Sequence, residues 1–247
     1  MIQSTLRTPA AAELLALWER WSAEPPARRG LALASAASDL PSEAVAGLTV
    51  GERDAVLLSL RERLFGPRVV STAACPACGE RLELDFSVDD VRVDAAPSAQ
   101  PLDLAVDGFA LRVRLPSAAD AADAAAQPAV GSARRLLLER CVVSAREGDQ
   151  ERAPTDLPPS VVASVAAEMA TADPQAEVTL ALACPACGHE WEALFDIVSF
   201  LWSEIEAWGE RTLREVHALA SAYGWREGDV LALSPARRRR YLEMVGE

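Results

Sequence analysis

The pentapeptide CPACG occurs twice, as Cys75-Pro76-Ala77-Cys78-Gly79 and as Cys184-Pro185-Ala186-Cys187-Gly188, so four of the five cysteines stand in two copies of one motif. A Cys-x-x-Cys turn tips both sulfurs to the same side, and glycine after the second cysteine lets the backbone fold back beneath them. Two such turns supply four thiolates, the donor set of a closed tetrahedral structural zinc site. The spacing therefore predicts one Zn²⁺ held by Cys75, Cys78, Cys184 and Cys187. It also requires a fold that brings together two segments 109 positions apart.

The flanks of the two copies agree. Val69 and Val70 run up to the first motif, and Leu82, Leu84 and Phe86 alternate on the way out. Val178, Leu180 and Leu182 alternate into the second motif, and Trp191, Ala193 and Phe195 alternate out of it. A period of two marks strands, so each motif sits between two strands and the chain carries an imperfect internal duplication. Strand, knuckle, strand, twice over, is how a zinc ribbon is built. The rival chemistry is a thioredoxin-like dithiol, which needs the motif to open a helix inside a βαβ unit. Strands follow both copies here, and one redox site would not account for two motifs. A catalytic zinc keeps a coordination position open, whereas four thiolates close this one. His189, next to the second motif, reads as a bystander.

The remaining sequence frames this β core with helices, which makes the expected class α+β. In the first helix Leu14, Leu17, Trp18 and Trp21 share a face, Thr8 can cap it, and Pro25-Pro26 stop it. A second helix, GERDAVLLSLRERLF, ends at Gly66-Pro67. Between the motifs, a Pro/Ser/Ala-rich linker at 95–101 leads to a hairpin turned by Asp107-Gly108, a favoured two-residue turn. Two helices follow, one with Leu137, Leu138 and Cys141 and one with Val162, Val165 and Met169. After Asp196 the chain is helical again, breaking at Gly224 and resuming at Ser234-Pro235. The expected organisation is an N-terminal helical region (1–67), a zinc-ribbon-like β core (68–94 and 176–195), an inserted hairpin and helices (95–175) and a C-terminal helical region (196–247).

Charge narrows the partners. The formal net charge is −13, and residues 80–130 hold ten acidic residues against four arginines. Nucleic-acid binding is driven by neutralising phosphates with basic side chains, so this balance disfavours it. All 24 basic residues are arginine, as a GC-rich genome gives without any functional selection. No apolar run of 18 residues occurs, so no membrane helix is expected. The N-terminus lacks the charged and apolar regions of a signal peptide, and the expected location is the reducing cytoplasm. Paired cysteines there bind metal or do redox chemistry more often than they form disulfides.

The other candidates read more plainly. Cys141 and Trp18, Trp21, Trp202 and Trp208 fall on apolar helix faces, as core residues do, and His217 has no clustered partner. Arg237 to Arg240 form either a solvated helix face or a contact for an anionic partner. No catalytic constellation is present in the sequence, so no enzyme activity and no small-molecule substrate are expected.

The segment LREVHALASAYGWREGDVLALSPARRRRYLEMV resembles the end of a family of baseplate proteins from T-even-like phage tails and related contractile injection systems. The matching residues are Glu215, His217, Tyr223, Trp225, Leu231, Leu233, Arg238, Tyr241 and Leu242. The stretch GERDAVLLSLRERLFGPRVVSTAACPACGERLEL also looks like zinc-ribbon proteins encoded in bacterial injection-system clusters. The resemblance implies a non-enzymatic structural or assembly protein of a baseplate or its hub, incorporated in a tail-like particle or acting on its assembly. Tyr223, Trp225, Arg238, Tyr241 and Leu242 are then the expected partner-binding residues, because aromatic and arginine side chains often dominate interface energy. The same stripe would equally serve to pack the last helix on the preceding one. The alternative is a zinc-ribbon regulator that binds nucleic acid through the arginine run.

Overall fold

A computed structural model describes residues 6–93 and 100–246. Four helices come first: α1 (Ala11–Trp21), α2 (Pro26–Ala36), α3 (Ser42–Ala46) and α4 (Val50–Phe65). Hairpin β1 (Arg68–Ala74) and β2 (Arg81–Ser87) follows. Next come β3 (Leu102–Val106), β4 (Phe109–Val113), α5 (Ala118–Ala125), α6 (Val130–Cys141), β5 (Val142–Glu147), β6 (Gln150–Glu151) and α7 (Pro159–Ala172). A second hairpin, β7 (Thr179–Ala183) and β8 (Glu190–Leu194), precedes α8 (Ile197–Tyr223), α9 (Glu227–Leu231) and α10 (Pro235–Val245). The class is α+β, with every strand pair antiparallel.

The main core is helical. Leu14, Leu33, Leu57, Leu60, Leu201 and Ile205 are buried together where α1, α2, α4 and α8 meet. The hairpins do not merge into one sheet. Each turns an apolar face onto this helical core, through Val69 and Phe86 from the first and Val178, Leu180 and Phe195 from the second. A separate cluster lies between the sheet β3-β4-β5-β6 and α7. A third surrounds Val216, Leu219, Val230 and Leu231 at the far end of α8. As expected, Asp107 (φ 50°) and Gly108 (φ 83°) turn the β3–β4 hairpin in the left-handed region that a tight two-residue turn needs.

Local chemistry corrects three expectations. α1 starts after Ala10, whose N–H is taken by Glu13 Oε2 at 2.9 Å, and Thr8 stands outside it. Pro26 does not merely stop α1; it opens α2 at the first helical position, where the missing N–H costs nothing. That helix was illegible because its buried face, Gly30, Leu33 and Ala34, is mostly small. Its closeness is the reason: a Cβ on Gly30 would stand 3.0 Å from Val198 Cγ2, so α2 lies against α8. α5 was missed as well, its run of alanines showing no strong stripe, although Ser117 and Asp120 cap it reciprocally. Most of the linker expected at 95–101, through residue 99, lies outside the described residues.

What allows distant knuckles to meet is a stitch at the base of the insert. Gln175, buried, accepts a hydrogen bond from Val93 N–H at 2.7 Å and donates to the Val91 carbonyl at 3.2 Å. Val93 lies at the exit of the first hairpin, and Gln175 stands just before the second. Two residues earlier, Asp173 Oδ2 accepts from Gly51 N–H at 2.9 Å at the start of α4. Gln175→Ala leaves the buried Val91 carbonyl and the Val93 N–H without their partner, so a loss of about 1–3 kcal/mol is expected in urea denaturation. A loss under 0.5 kcal/mol would show that the stitch is not what joins the two halves.

Candidate metal centre

Each knuckle is built by the same two backbone hydrogen bonds. Cys75 N–H donates to the Glu80 carbonyl (2.8 Å) and Gly79 N–H to the Cys75 carbonyl (2.9 Å). In the second copy Cys184 N–H donates to His189 (2.9 Å) and Gly188 N–H to Cys184 (2.9 Å). Gly79 (φ 78°) and Gly188 (φ 72°) adopt the left-handed conformation that closes each turn. Below the knuckles the duplication persists. Phe86 and Phe195 hold equivalent places in the two repeats, and their rings meet edge to face at 5.6 Å. Val69 and Val178, equally equivalent, both pack on the main core.

The four sulfurs converge. Cys75 Sγ lies 3.7 Å from Cys187 Sγ, and Cys78 Sγ lies 3.7 Å from Cys184 Sγ. The first cysteine of each motif thus faces the second cysteine of the other, the reciprocal exchange that a two-fold relation produces. All four ligand atoms fall within 4.8 Å of one another, and among the described residues they form the one such cluster of potential metal ligands. Cys75 and Cys184 are buried at the base, Cys78 and Cys187 exposed at the tips, and all are free thiols. His189 does not join them; its ring stacks on Trp191 at 5.9 Å.

The electrostatics follow from this crowding. Burial works against ionising Cys75, but the amides of Cys78 and Ala77 and the neighbouring thiols of Cys187 and Cys78 outweigh it, bringing its thiol to about 7. The Glu80 amide favours the Cys78 thiolate, yet contacts with Cys187, Cys184 and Cys75, together with burial, push that thiol up to about 12. The His189 amide similarly opposes a net rise at Cys187. The crowding thus favours a thiolate at Cys75 and opposes one at Cys78 and at Cys187. Such a group could hold a metal ion, which would draw all four into the thiolate form.

The residues expected to bind a partner lie where the last helix meets the end of α8. Tyr223 and Trp225 stack at 4.8 Å, and Tyr241 meets both edge-on at 5.8 and 4.8 Å, so the last helix folds back on the end of α8. Leu242 packs on the same cluster. Arg238, expected at a docking surface, is turned inward: it is 6% exposed, and its Nε lies 2.8 Å from Glu215 Oε2. The arginine run is thereby broken, since Arg240 is also paired, with Glu243 at 3.1 Å. Cys141 is buried on α6, where burial pushes its thiol up to about 11, and His217 is exposed on α8. The stitch residues Asp173 and Gln175 escaped the sequence reading. Their one signal is the turn-forming Asp-Pro pair at 173–174.

A duplicated knuckle that gathers four cysteines over a helical platform is an arrangement that could hold one metal ion. The family described as T4 bacteriophage base plate protein matches residues 31–202, more than two thirds of the 247 residues and both knuckles included. The chain belongs to that family. The match contains the stretch around the first knuckle and stops before the C-terminal segment, residues 213–245, that carried the other resemblance. Comparison with curated proteins and with solved structures gives no match. No helix among the described residues is long and apolar enough to cross a membrane.

Proposed function

We propose that this chain is a zinc-stabilised structural or assembly protein of the baseplate of a phage-tail-like contractile injection system, acting through contacts with other baseplate or hub proteins. The observation that carries the reading is the coincidence of the family match with the whole metal centre: both knuckles and the stitch between them lie within residues 31–202. Zinc fits the donors. A tetrahedron with metal–sulfur bonds of about 2.3 Å has edges of about 3.8 Å, and the two cross-knuckle separations are 3.7 Å. Four thiolates leave no coordination position for a substrate, so the ion's role is to lock the hairpins.

The nucleic-acid reading loses support in the burial of Arg238, which divides the run, and in the surface pairing of Arg240 with Glu243, which offsets part of its charge. Docking is assigned instead to the outer side of the C-terminal aromatic group. Tyr223 (40%), Met244 (60%) and Val245 (39%) remain exposed there, next to Trp225, Tyr241 and Leu242. Met244→Asp combined with Val245→Asp, at exposed positions, should leave zinc content and melting temperature unchanged. The variant should fail to co-purify with baseplate components encoded beside it. Normal incorporation of the variant would remove this surface from the account, and absence of the wild-type chain from baseplates and their assembly intermediates would remove the function.

A further inference from the structure

α6 is an unusual helix for a folded chain. It carries three successive leucines, Leu136, Leu137 and Leu138, yet Cys141 is its one fully buried residue. Between α6 and α7 runs an apolar groove of about 370 Å³, walled by Val130, Leu137 and Cys141 from one helix and Ala166 and Met169 from the other, with Arg134 on its rim. Val130, in its lining, is 87% exposed. The Cys141 thiol at the floor stays protonated, its ionisation opposed by burial, so it adds an apolar surface and not a charge.

The walls restrict what fits. Both are α-helices whose backbone N–H and C=O groups are satisfied internally, so neither offers a hydrogen-bonding edge. An extended segment in this groove would bury its own backbone unpaired, whereas a helix brings its hydrogen bonds with it. The lining of α6 from Val130 to Cys141 extends over about 16 Å at 1.5 Å per residue, or three helical turns. That length suits apolar anchors spaced i, i+3/i+4 and i+7. Charge supplies the remaining criterion. Arg135 is paired with Glu139, and Arg140 with Asp120 and Asp123, but the Arg134 side chain has no hydrogen bond or ion pair among the described residues. It stands as a cation at the border of an apolar trough.

We propose that the α6–α7 groove is a docking site for an amphipathic helix of a partner protein, one with a Leu-type stripe flanked by a carboxylate that pairs with Arg134. The site is separate from the metal centre and does not depend on the baseplate assignment. The test uses the purified full chain and three fluorescent synthetic peptides, measured by anisotropy. One has leucines at i, i+3, i+4 and i+7 flanked by glutamates, one has lysines in place of the glutamates, and one is a scrambled control. The glutamate peptide should bind saturably, and at least tenfold more tightly than the lysine peptide. Arg134→Glu should reverse that preference. Ala166→Trp, at an exposed position where a large side chain fills the groove without entering the core, should abolish binding of both.

No saturable binding of the glutamate peptide would overturn the proposal. So would binding that ignores Ala166→Trp or shows no charge preference. Concentration-dependent dimerisation suppressed by Ala166→Trp would also overturn it, by making a second copy the occupant.

Discussion

Cys78→Ser and Cys187→Ser should each abolish tight metal binding, and the double variant should lose hardly more than either single. The sulfurs of these residues pair across the duplication, Cys78 with Cys184 and Cys187 with Cys75, each at 3.7 Å. One ion shared by both knuckles makes each sulfur necessary to the same binding event. Structural zinc contributes apparent binding free energies of about 10–16 kcal/mol in small fingers, comparable to the ~5–15 kcal/mol stability of a domain. The loss should fall on the hairpins first. Their contact with each other apart from the knuckles is thin, the edge-to-face pair Phe86–Phe195 being its main feature, while the helical core draws most of its burial from α1, α2, α4 and α8. Hydrogen exchange should therefore show β1, β2, β7 and β8 opening in the variants while α4 and α8 stay protected. Independent, additive losses of metal affinity would place the two motifs in separate sites.

The second large effect is expected far from sulfur, at Arg61. Its side chain is 3% exposed, and its guanidinium forks onto Glu204, with Nε to Oε2 at 3.0 Å and Nη2 to Oε1 at 2.8 Å. Its third nitrogen, Nη1, donates to the Gly66 carbonyl at 2.7 Å, and the group lies over the Phe200 ring at 5.6 Å. One residue thus joins α4, the turn that launches the first hairpin, and α8. Arg61→Ala would strand a half-buried carboxylate and a carbonyl, a change that costs about 3–5 kcal/mol when a buried pair is broken. Because Glu204 retains some exposure, at 25%, the lower end is expected. Replacing both partners by methionine should cost far less, since a buried ion pair exchanged for apolar volume is often near neutral. Urea denaturation of the two singles and the double measures this directly, and a loss below 1 kcal/mol for Arg61→Ala would contradict it.

The site was legible in the sequence because it is local chemistry repeated. The pentapeptides, their flanking alternation and the offset between copies name all four cysteines without reference to a fold. The hairpin at Asp107-Gly108 and the helix break at Gly224 were legible for the same reason, since each rests on a backbone conformation that few residues adopt. What holds the copies together was not. Gln175 acts through hydrogen bonds to residues 82 and 84 positions away, and no pattern of neighbours marks such a residue. α2 was hidden because close helix packing uses glycine and alanine, which weaken the periodic signal that identifies helices. Arg238 stayed open between docking and packing for a related reason. A side chain suited to an interface is equally suited to a buried pair, and Glu215, which decides between them, lies 23 positions away.

The central claim is that one zinc ion closes the two knuckles into a single structural centre. Elemental analysis of the purified chain after gel filtration tests it most directly, with thiol titration before and after a chelator as the companion reading. The account predicts one equivalent of zinc per chain, with Cys75, Cys78, Cys184 and Cys187 protected from alkylation until the metal is removed. A chain that carries no metal, is stably folded and has those four thiols freely reactive would contradict it.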